Sequence, residues 1–136
     1  MKYLSILLLA FSFSWSTAHA QEEEEAPAVA APSAYVSLVP ALVGNYGAGE
    51  KLKYYKADIA LRVKADNVAK VEYHEPLIRD QLIQLFAQQT DENLGSNEGK
   101  EAMRQAALLQ VQNTLKEEEG EILVDDLLFN NLIVQP

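Results

Sequence analysis

Hydrophobic and polar residues alternate most regularly between Leu52 and Ala65. The apolar set comprises Tyr55, Ala57, Ile59, Leu61 and Val63. The charged residues between them are Lys56, Asp58, Arg62 and Lys64. A repeat of two is typical of a β-strand with one face in water. We therefore predict a strand here, with another layer of the fold covering its apolar side.

The region before this strand predicts a shorter strand and then a loop. Ala34 to Leu42 has strand-like residues, but Pro40 lacks the amide that a central strand needs. We expect this strand to lie at a sheet edge or to end at Pro40. Val43 to Glu50 contains three glycines and an asparagine, which tolerate positive φ and favour a loop.

Two helical segments follow. Apolar residues recur at helical spacing from Val68 to Gln89, after Asp66 or Asn67 as a cap. Pro76 predicts a kink or two successive helices meeting near Glu75. A further helix should start near Ser96 or Asn97, run to about Glu119 and end at Gly120. The apolar side predicted for it is Met103, Ala107, Leu108, Val111 and Leu115.

The last segment, Glu121 to Gln135, is strand-like with apolar residues on both sides, which favours an interior position. Polar residues interrupt it and predict a bulge or bend. These are Asp125, Asp126, Asn130 and Asn131. The order strand, strand, helix, helix, strand predicts an α+β fold, in which a small, mainly antiparallel sheet packs against two helices.

The N-terminal segment has the features of a secretory signal. Lys2 precedes a short apolar stretch, and Ala18 and Ala20 form a small-residue cleavage site before Gln21. We expect cleavage after Ala20; the alternative is an uncleaved signal anchor. Residues 21–33 mix Glu, Ala and Pro and predict a disordered linker. Residues 34–136 are then one folded domain.

Charge and composition exclude several functions. The chain has 11 basic and 20 acidic residues and a formal charge of −9. Removing residues 1–20 takes away one lysine and no acidic residue, which makes the chain still more negative. A protein with this charge is a poor partner for nucleic acid, which is itself an anion. The chain has no cysteine, which excludes disulfides, thiolate chemistry and an acylated lipoprotein.

Catalytic patterns are weak. After cleavage His74 is the only histidine, with Glu72, Glu75 and Asp80 nearby. This group is more easily explained as surface residues around a helix kink than as an acid/base or metal site. The segment starting at Asp91 has alanine at its twelfth position, where a calcium loop needs glutamate. We expect no enzyme, no metal site and no cofactor.

Four segments together resemble a known family. They are the helix His74-Glu75-Pro76-Leu77-Ile78-Arg79-Asp80 with Leu82 and Ile83, the pair Gly99-Lys100, the terminal strand Val124 to Gln135, and the opening Tyr35 to Leu42 with the strand from Lys53 to Leu61. In order and spacing they are similar to the periplasmic domain of FliL, the flagellar basal-body-associated protein. The resemblance covers nearly all of residues 34–135.

The resemblance implies a stomatin/prohibitin-like fold and a non-enzymatic protein. It further implies a protein that forms a ring around the stator units of the flagellar motor and supports torque, swimming, swarming, surface sensing or chemotactic control. The implied location is the periplasmic face of the inner membrane at the basal body. A typical FliL has a membrane-spanning helix, whereas the segment here ends in a cleavage site. Cleavage would release a soluble periplasmic protein, which could work beside a membrane-anchored paralogue.

Two alternatives to a motor protein stay open. One is a stomatin-like periplasmic scaffold or binding module without a link to motility. The other is a small hydrolase that uses His74 with Glu75 or Asp80. Normal motility of a deletion strain would favour the first, and loss of an activity in His74→Ala would favour the second.

Ring formation needs two complementary patches on each subunit. Opposite charge makes the basic face of the long strand one candidate and the acidic region after Leu115 the other. The predicted self-association residues are Lys56, Arg62, Lys64, Glu117, Glu118, Glu119 and Glu121. The simpler interpretation is that both are solvated surface charge.

Overall fold

One long strand organises the whole fold. The computed structural model of the chain describes residues 32–136. Strand β3, Lys53–Lys64, has β4, Val124–Gln135, along one side. Its other side is shared by β1, Ser33–Ser37, and β2, Leu42–Tyr46. All three pairings are antiparallel, and the predicted strand is confirmed.

Strand β2 corrects part of the predicted loop. The segment expected to be a loop, Val43 to Glu50, is a strand up to Tyr46 and turns only from Gly47, where φ is 82°. Leu42 and Tyr46 are buried on the core side, and Gly44 lies between them. A Cβ atom at Gly44 would lie 2.8 Å from Oη of Tyr55. Glycine is therefore needed at position 44 because the Tyr55 side chain fills the space that a Cβ atom would occupy, and not because the chain turns at this point.

The predicted helix break at the proline is confirmed. A short 3-10 turn, Ala65–Asn67, leads into α1, Val68–Tyr73. Helix α2, Glu75–Ala87, follows and has the proline in its first turn. His74 separates the two helices. The predicted cap is wrong, because Asn67 occupies the capping position but its side chain makes no capping hydrogen bond.

The longest helix has the predicted limits. Helix α4 is Asn97–Glu119; Ser96 Oγ accepts from the amide of Gly99, and Gly120 ends the helix in the left-handed conformation. A five-residue helix before it, α3, Asp91–Gly95, was not predicted. Its signal was Thr90, whose hydroxyl accepts from the amide of Asn93.

Strand β4 is an edge strand, so the predicted interior position is wrong. Among residues 32–136 it pairs with β3 alone. The bulges are confirmed, since the register shifts beside Asn130 and again beside Asp125. Its apolar residues on both sides have different surroundings: Leu127 is fully buried against the helices, whereas Ile133 on the other face is exposed.

The core lies between the sheet and the helices. It is formed by the apolar side of β3, by Ile78, Leu82 and Phe86 of α2, and by one side of α4. Within α4 the predicted residues are buried except Leu108, which is half-buried. A four-stranded antiparallel sheet with helices on one face confirms the α+β fold class. The predicted signal, its cleavage site at Ala18, Ala20 and Gln21, and nearly all of the linker lie outside the described residues.

Candidate interaction surface

The alternation along β3 places three cations on one face of the sheet. Lys56, Arg62 and Lys64 lie on the side opposite the helices, which we call the outer face. Among residues 32–136 none of them forms an ion pair. Asp58 is the acidic residue of β3 on this side. The outer face therefore carries local positive charge in a chain that is acidic as a whole.

Arg62 is more buried than the two lysines. It lies between Tyr35 of β1 and Asp126 of β4 in the register, and it is half-buried. Its Nε atom is buried and has no hydrogen-bond partner. Tyr35 beside it is 58% exposed. An aromatic ring next to a guanidinium is a surface that suits a partner with both apolar and acidic groups.

An apolar cleft lies at the other end of the outer face. The register places Val43, Lys56 and Ile133 in one row across three strands. Together with Tyr54 they line a cleft of about 280 Å³. Val43 is 64% exposed and Ile133 is 52% exposed. The sequence pattern did not predict this cleft, although Tyr54 among the polar residues of β3 is a visible signal of it.

The acidic region at the end of α4 is divided in the structure. Glu119 contacts His74, and Glu121 lies 3.7 Å from Nζ of Lys70. Glu117 and Glu118 are exposed and form no ion pair within residues 32–136. Of the four predicted acidic residues, these two are therefore the ones available to another molecule.

His74 has a different partner from those expected. Its Nε2 lies 2.8 Å from Oε1 of Glu119, which is 45 positions further along the chain. Glu75 is instead near Arg79, at 3.7 Å. The ring of Tyr73 meets the His74 ring edge-on, with centroids 5.0 Å apart. The contact joins the α1–α2 junction to the end of α4, so its role is to hold these parts of the fold together.

A second polar cluster attaches the β2–β3 hairpin to α3. Tyr46 donates a hydrogen bond to Asp91 at 2.9 Å, and the Lys53 ammonium contacts the other carboxylate oxygen. These bonds, led by that of Lys53, lower the pKa of Asp91. Burial, followed by the bond to Asp91, raises the pKa of Tyr46 to about 12. The contacts of this cluster are made within the chain and fasten the hairpin to α3.

Arg104 forms the third polar cluster, between α4 and β4. It donates to Asp126 at 2.7 Å, to the Leu127 carbonyl at 3.2 Å and to both oxygens of Glu101. The bonds from Arg104 lower the pKa of Glu101 to about 2. A cleft of about 450 Å³ beside this cluster is lined mainly by polar residues of α4 and β4. The bonds to Asp126 and Leu127 fix α4 against the sheet edge, whereas those to Glu101 lie within α4.

Neither a metal site nor a membrane span is found in the described part of the chain. Residues 32–136 contain no group of three or more His, Asp or Glu side chains placed to hold a metal ion. Over the same range, no helix is both long and apolar enough to cross a membrane. The outer face, with its three cations and its apolar cleft, is the candidate interaction surface of the described residues.

Comparison with known proteins finds similarity to a family of flagellar proteins. The family model described as "Flagellar basal body-associated protein FliL" matches residues 35–135. A similar curated protein is "Flagellar protein FliL" of Aquifex aeolicus (strain VF5). It is 29% identical over 112 residues, which cover 80% of this chain and 67% of the relative.

Proposed function

Because the chain belongs to the FliL family of flagellar basal body-associated proteins, we propose that it is a non-enzymatic accessory protein of the flagellar motor. In this role it associates with the stator units and supports rotation, and with it swimming, swarming or chemotactic control. The observation that supports the proposal is the extent of the match, which runs through every strand and helix of the described domain. Its partners are then proteins of the stator and basal body.

The chemistry of the domain supports a binding role over catalysis. The polar clusters around Asp91 and Arg104 make their hydrogen bonds within the domain. The exposed charge is instead spread over the outer face and the end of α4. Surfaces of this kind suit contacts between proteins, with polar rims around apolar centres.

Motor torque tests the association with stators directly. Rotation of a bead attached to a flagellar filament is recorded in a deletion strain complemented with the wild-type chain or with Val43→Asp/Ile133→Asp, which places charge in the apolar cleft. Lys51→Glu, in an exposed loop away from the cleft, is the matched control. We expect torque and co-isolation with stator proteins to fall for the cleft variant alone. Equal torque and equal co-isolation in all three strains would contradict stator association through this surface.

We place the domain on the periplasmic side of the inner membrane. Cleavage after Ala20 makes it a soluble periplasmic protein, and a membrane-anchored paralogue then provides the link to the membrane. Sequencing the N-terminus of the protein from cells separates the two states. Gln21 as first residue supports release, whereas Met1 retained in the membrane fraction supports an anchor and would overturn the cleavage proposal.

The proposal includes assembly into a homo-oligomeric ring. Head-to-tail contacts need two different patches, and the available charges are those of Lys56, Arg62 and Lys64 on one subunit with Glu117 and Glu118 on the next. Glu119 and Glu121 are engaged with α1, so their part is to hold the end of α4 in place.

Sedimentation tests the polarity of this contact. Lys56→Glu/Lys64→Glu should weaken self-association, and so should Glu117→Lys/Glu118→Lys. Mixing the two variants should restore assembly, because each then offers the other a complementary patch. Lys51→Glu is the control for net charge. Assembly that is unchanged in both variants would remove the proposed contact without touching the family assignment.

A further inference from the structure

The outer face of the sheet has no covering layer among residues 32–136, and the chain itself carries a segment of opposite charge. The helices all pack on the other side, leaving Lys56, Arg62 and Lys64 in solvent or at its boundary. Four consecutive glutamates, Glu22–Glu25, precede the first strand. This run is opposite in sign to the three cations, and its four negative charges face three positive ones with Asp58 among them.

The start of β1 fixes where this segment leaves the domain. Ser33 lies opposite Lys64, and the Pro32 carbonyl accepts from the Ala65 amide at 2.8 Å. The preceding residues therefore leave beside the basic end of the outer face. An acidic run attached at this point is a tethered ligand for the cations next to it.

The length of the chain is sufficient. Glu25 is eight positions before Ser33, so at about 3.3 Å per residue it can reach about 26 Å from that anchor. Lys64 and Lys56 are also eight positions apart on β3, a separation of about 26 Å. Glu22 reaches still further. The run can thus cover the face from Arg62 to Lys56.

Tethering compensates for the weakness of single surface ion pairs. An exposed pair contributes only about 0.2–1 kcal/mol, but a short linker gives an effective concentration in the millimolar range. Several ion pairs formed together then favour the docked segment over the free, hydrated one. Because the charges are exposed, salt should weaken the contact strongly: the screening length falls from about 10 Å at 0.1 M to about 3 Å at 1 M.

We infer that Glu22–Glu25 docks in cis on the outer face and shields Lys56, Arg62 and Lys64 from other molecules. The docking itself is independent of the proposed function. Its consequence rests on that function, because a shielded face is closed to the Glu117 and Glu118 patch of another subunit. The segment therefore acts as an internal competitor that delays assembly until a partner displaces it.

Paramagnetic broadening tests the docking. The chain has no cysteine, so a spin label at Ala26→Cys in the full isotope-labelled chain, purified as the cell produces it, is unambiguous. We expect the amide signals of Lys56 and Ile133 to lose most of their intensity, whereas those of Met103 on the far side of the sheet keep theirs. High salt, or Lys56→Glu/Lys64→Glu, should restore the signals. Glu117→Gln/Glu118→Gln, which removes acidic charge elsewhere, should leave the broadening unchanged.

Two results would overturn the inference. One is broadening confined to the residues next to Pro32 and Lys64, which means that the run does not reach along the face. The other is equal broadening in a mixture of spin-labelled chains and separate isotope-labelled chains, which means contact between molecules. Either result leaves motor association and ring assembly to be decided by their own experiments.

Discussion

Glu119, the last residue of α4, lies with Oε1 2.8 Å from Nε2 of His74 at the junction of α1 and α2. The His74 side chain is 11% exposed and that of Glu119 is 27% exposed, so the contact is largely shielded from water. It ties the kink imposed by Pro76 to the turn at Gly120, which precedes β4. Two local breaks in regular structure are thereby held together by one side-chain pair.

Removing the negative charge of Glu119 should destabilise the domain. We expect Glu119→Gln to lower the free energy of unfolding by about 1 kcal/mol, because a partly buried, charge-assisted hydrogen bond is weakened. Glu118→Gln is the matched control, since Glu118 is adjacent and exposed. Denaturant titration of both variants measures the difference. Equal midpoints for the two variants would show that the contact contributes nothing to stability.

The hydroxyl of Tyr55 should be dispensable. Tyr55 is 1% exposed and stacks on Phe86 with ring centroids 4.1 Å apart, but its Oη has no hydrogen-bond partner. Burying an unpaired hydroxyl costs about 1–3 kcal/mol. Tyr55→Phe should therefore raise the melting temperature, while Tyr54→Phe on the exposed face leaves it unchanged. A lower melting temperature for Tyr55→Phe would mean that the hydroxyl has a stabilising role.

The glycine opposite that ring should resist any side chain. Gly44→Ala puts Cβ 2.8 Å from Tyr55 Oη and 3.0 Å from Cε1, and overpacking of this kind costs about 1–3 kcal/mol. Gly95→Ala is the control, because nothing lies within 4 Å of its Cβ position. Combining Gly44→Ala with Tyr55→Phe should recover part of the loss, since the closest atom is removed. Thermal unfolding of the three variants decides; a stable Gly44→Ala protein would refute the predicted clash.

Alkaline pH should remove stability in a defined range. Burial raises the pKa of Tyr55 from 10.0 to about 12, and burial with the bond to Asp91 does the same for Tyr46. Since each folded pKa lies above the unfolded value, the stabilisation is complete below pH 10 and is lost as pH rises towards 12. Ultraviolet titration should show two late tyrosines, and Tyr46→Phe should remove one. Ionisation of all tyrosines together near pH 10 in the folded protein would contradict this.

Much of the fold could be predicted because local signals were strong. The alternation of β3, the proline after His74, and the capping pair Ser96 and Gly120 each indicate one backbone conformation. The position of β4 could not be predicted. Apolar residues on both faces are typical of an interior strand, but β4 lies at an edge. Its two bulges change which residues face the core, and Ile133 on the outer face lines the cleft.

The surface was less predictable than the fold. Strand periodicity is sufficient to put Lys56, Arg62 and Lys64 on one face. It cannot indicate that Glu119 meets His74 across 45 positions, because that contact depends on how α4 packs against α2. Sequence also concealed the function of Gly44, since a glycine needed for space looks the same as one needed for a turn.

Motility of a deletion strain tests the central claim most directly. Removing this gene and restoring it on a plasmid isolates the contribution of the protein to swimming in liquid and swarming on a surface. We predict reduced swarming or swimming in the deletion strain and recovery with the wild-type chain. Normal swimming and swarming of the deletion strain would contradict a role in the flagellar motor and favour a periplasmic scaffold without a link to motility.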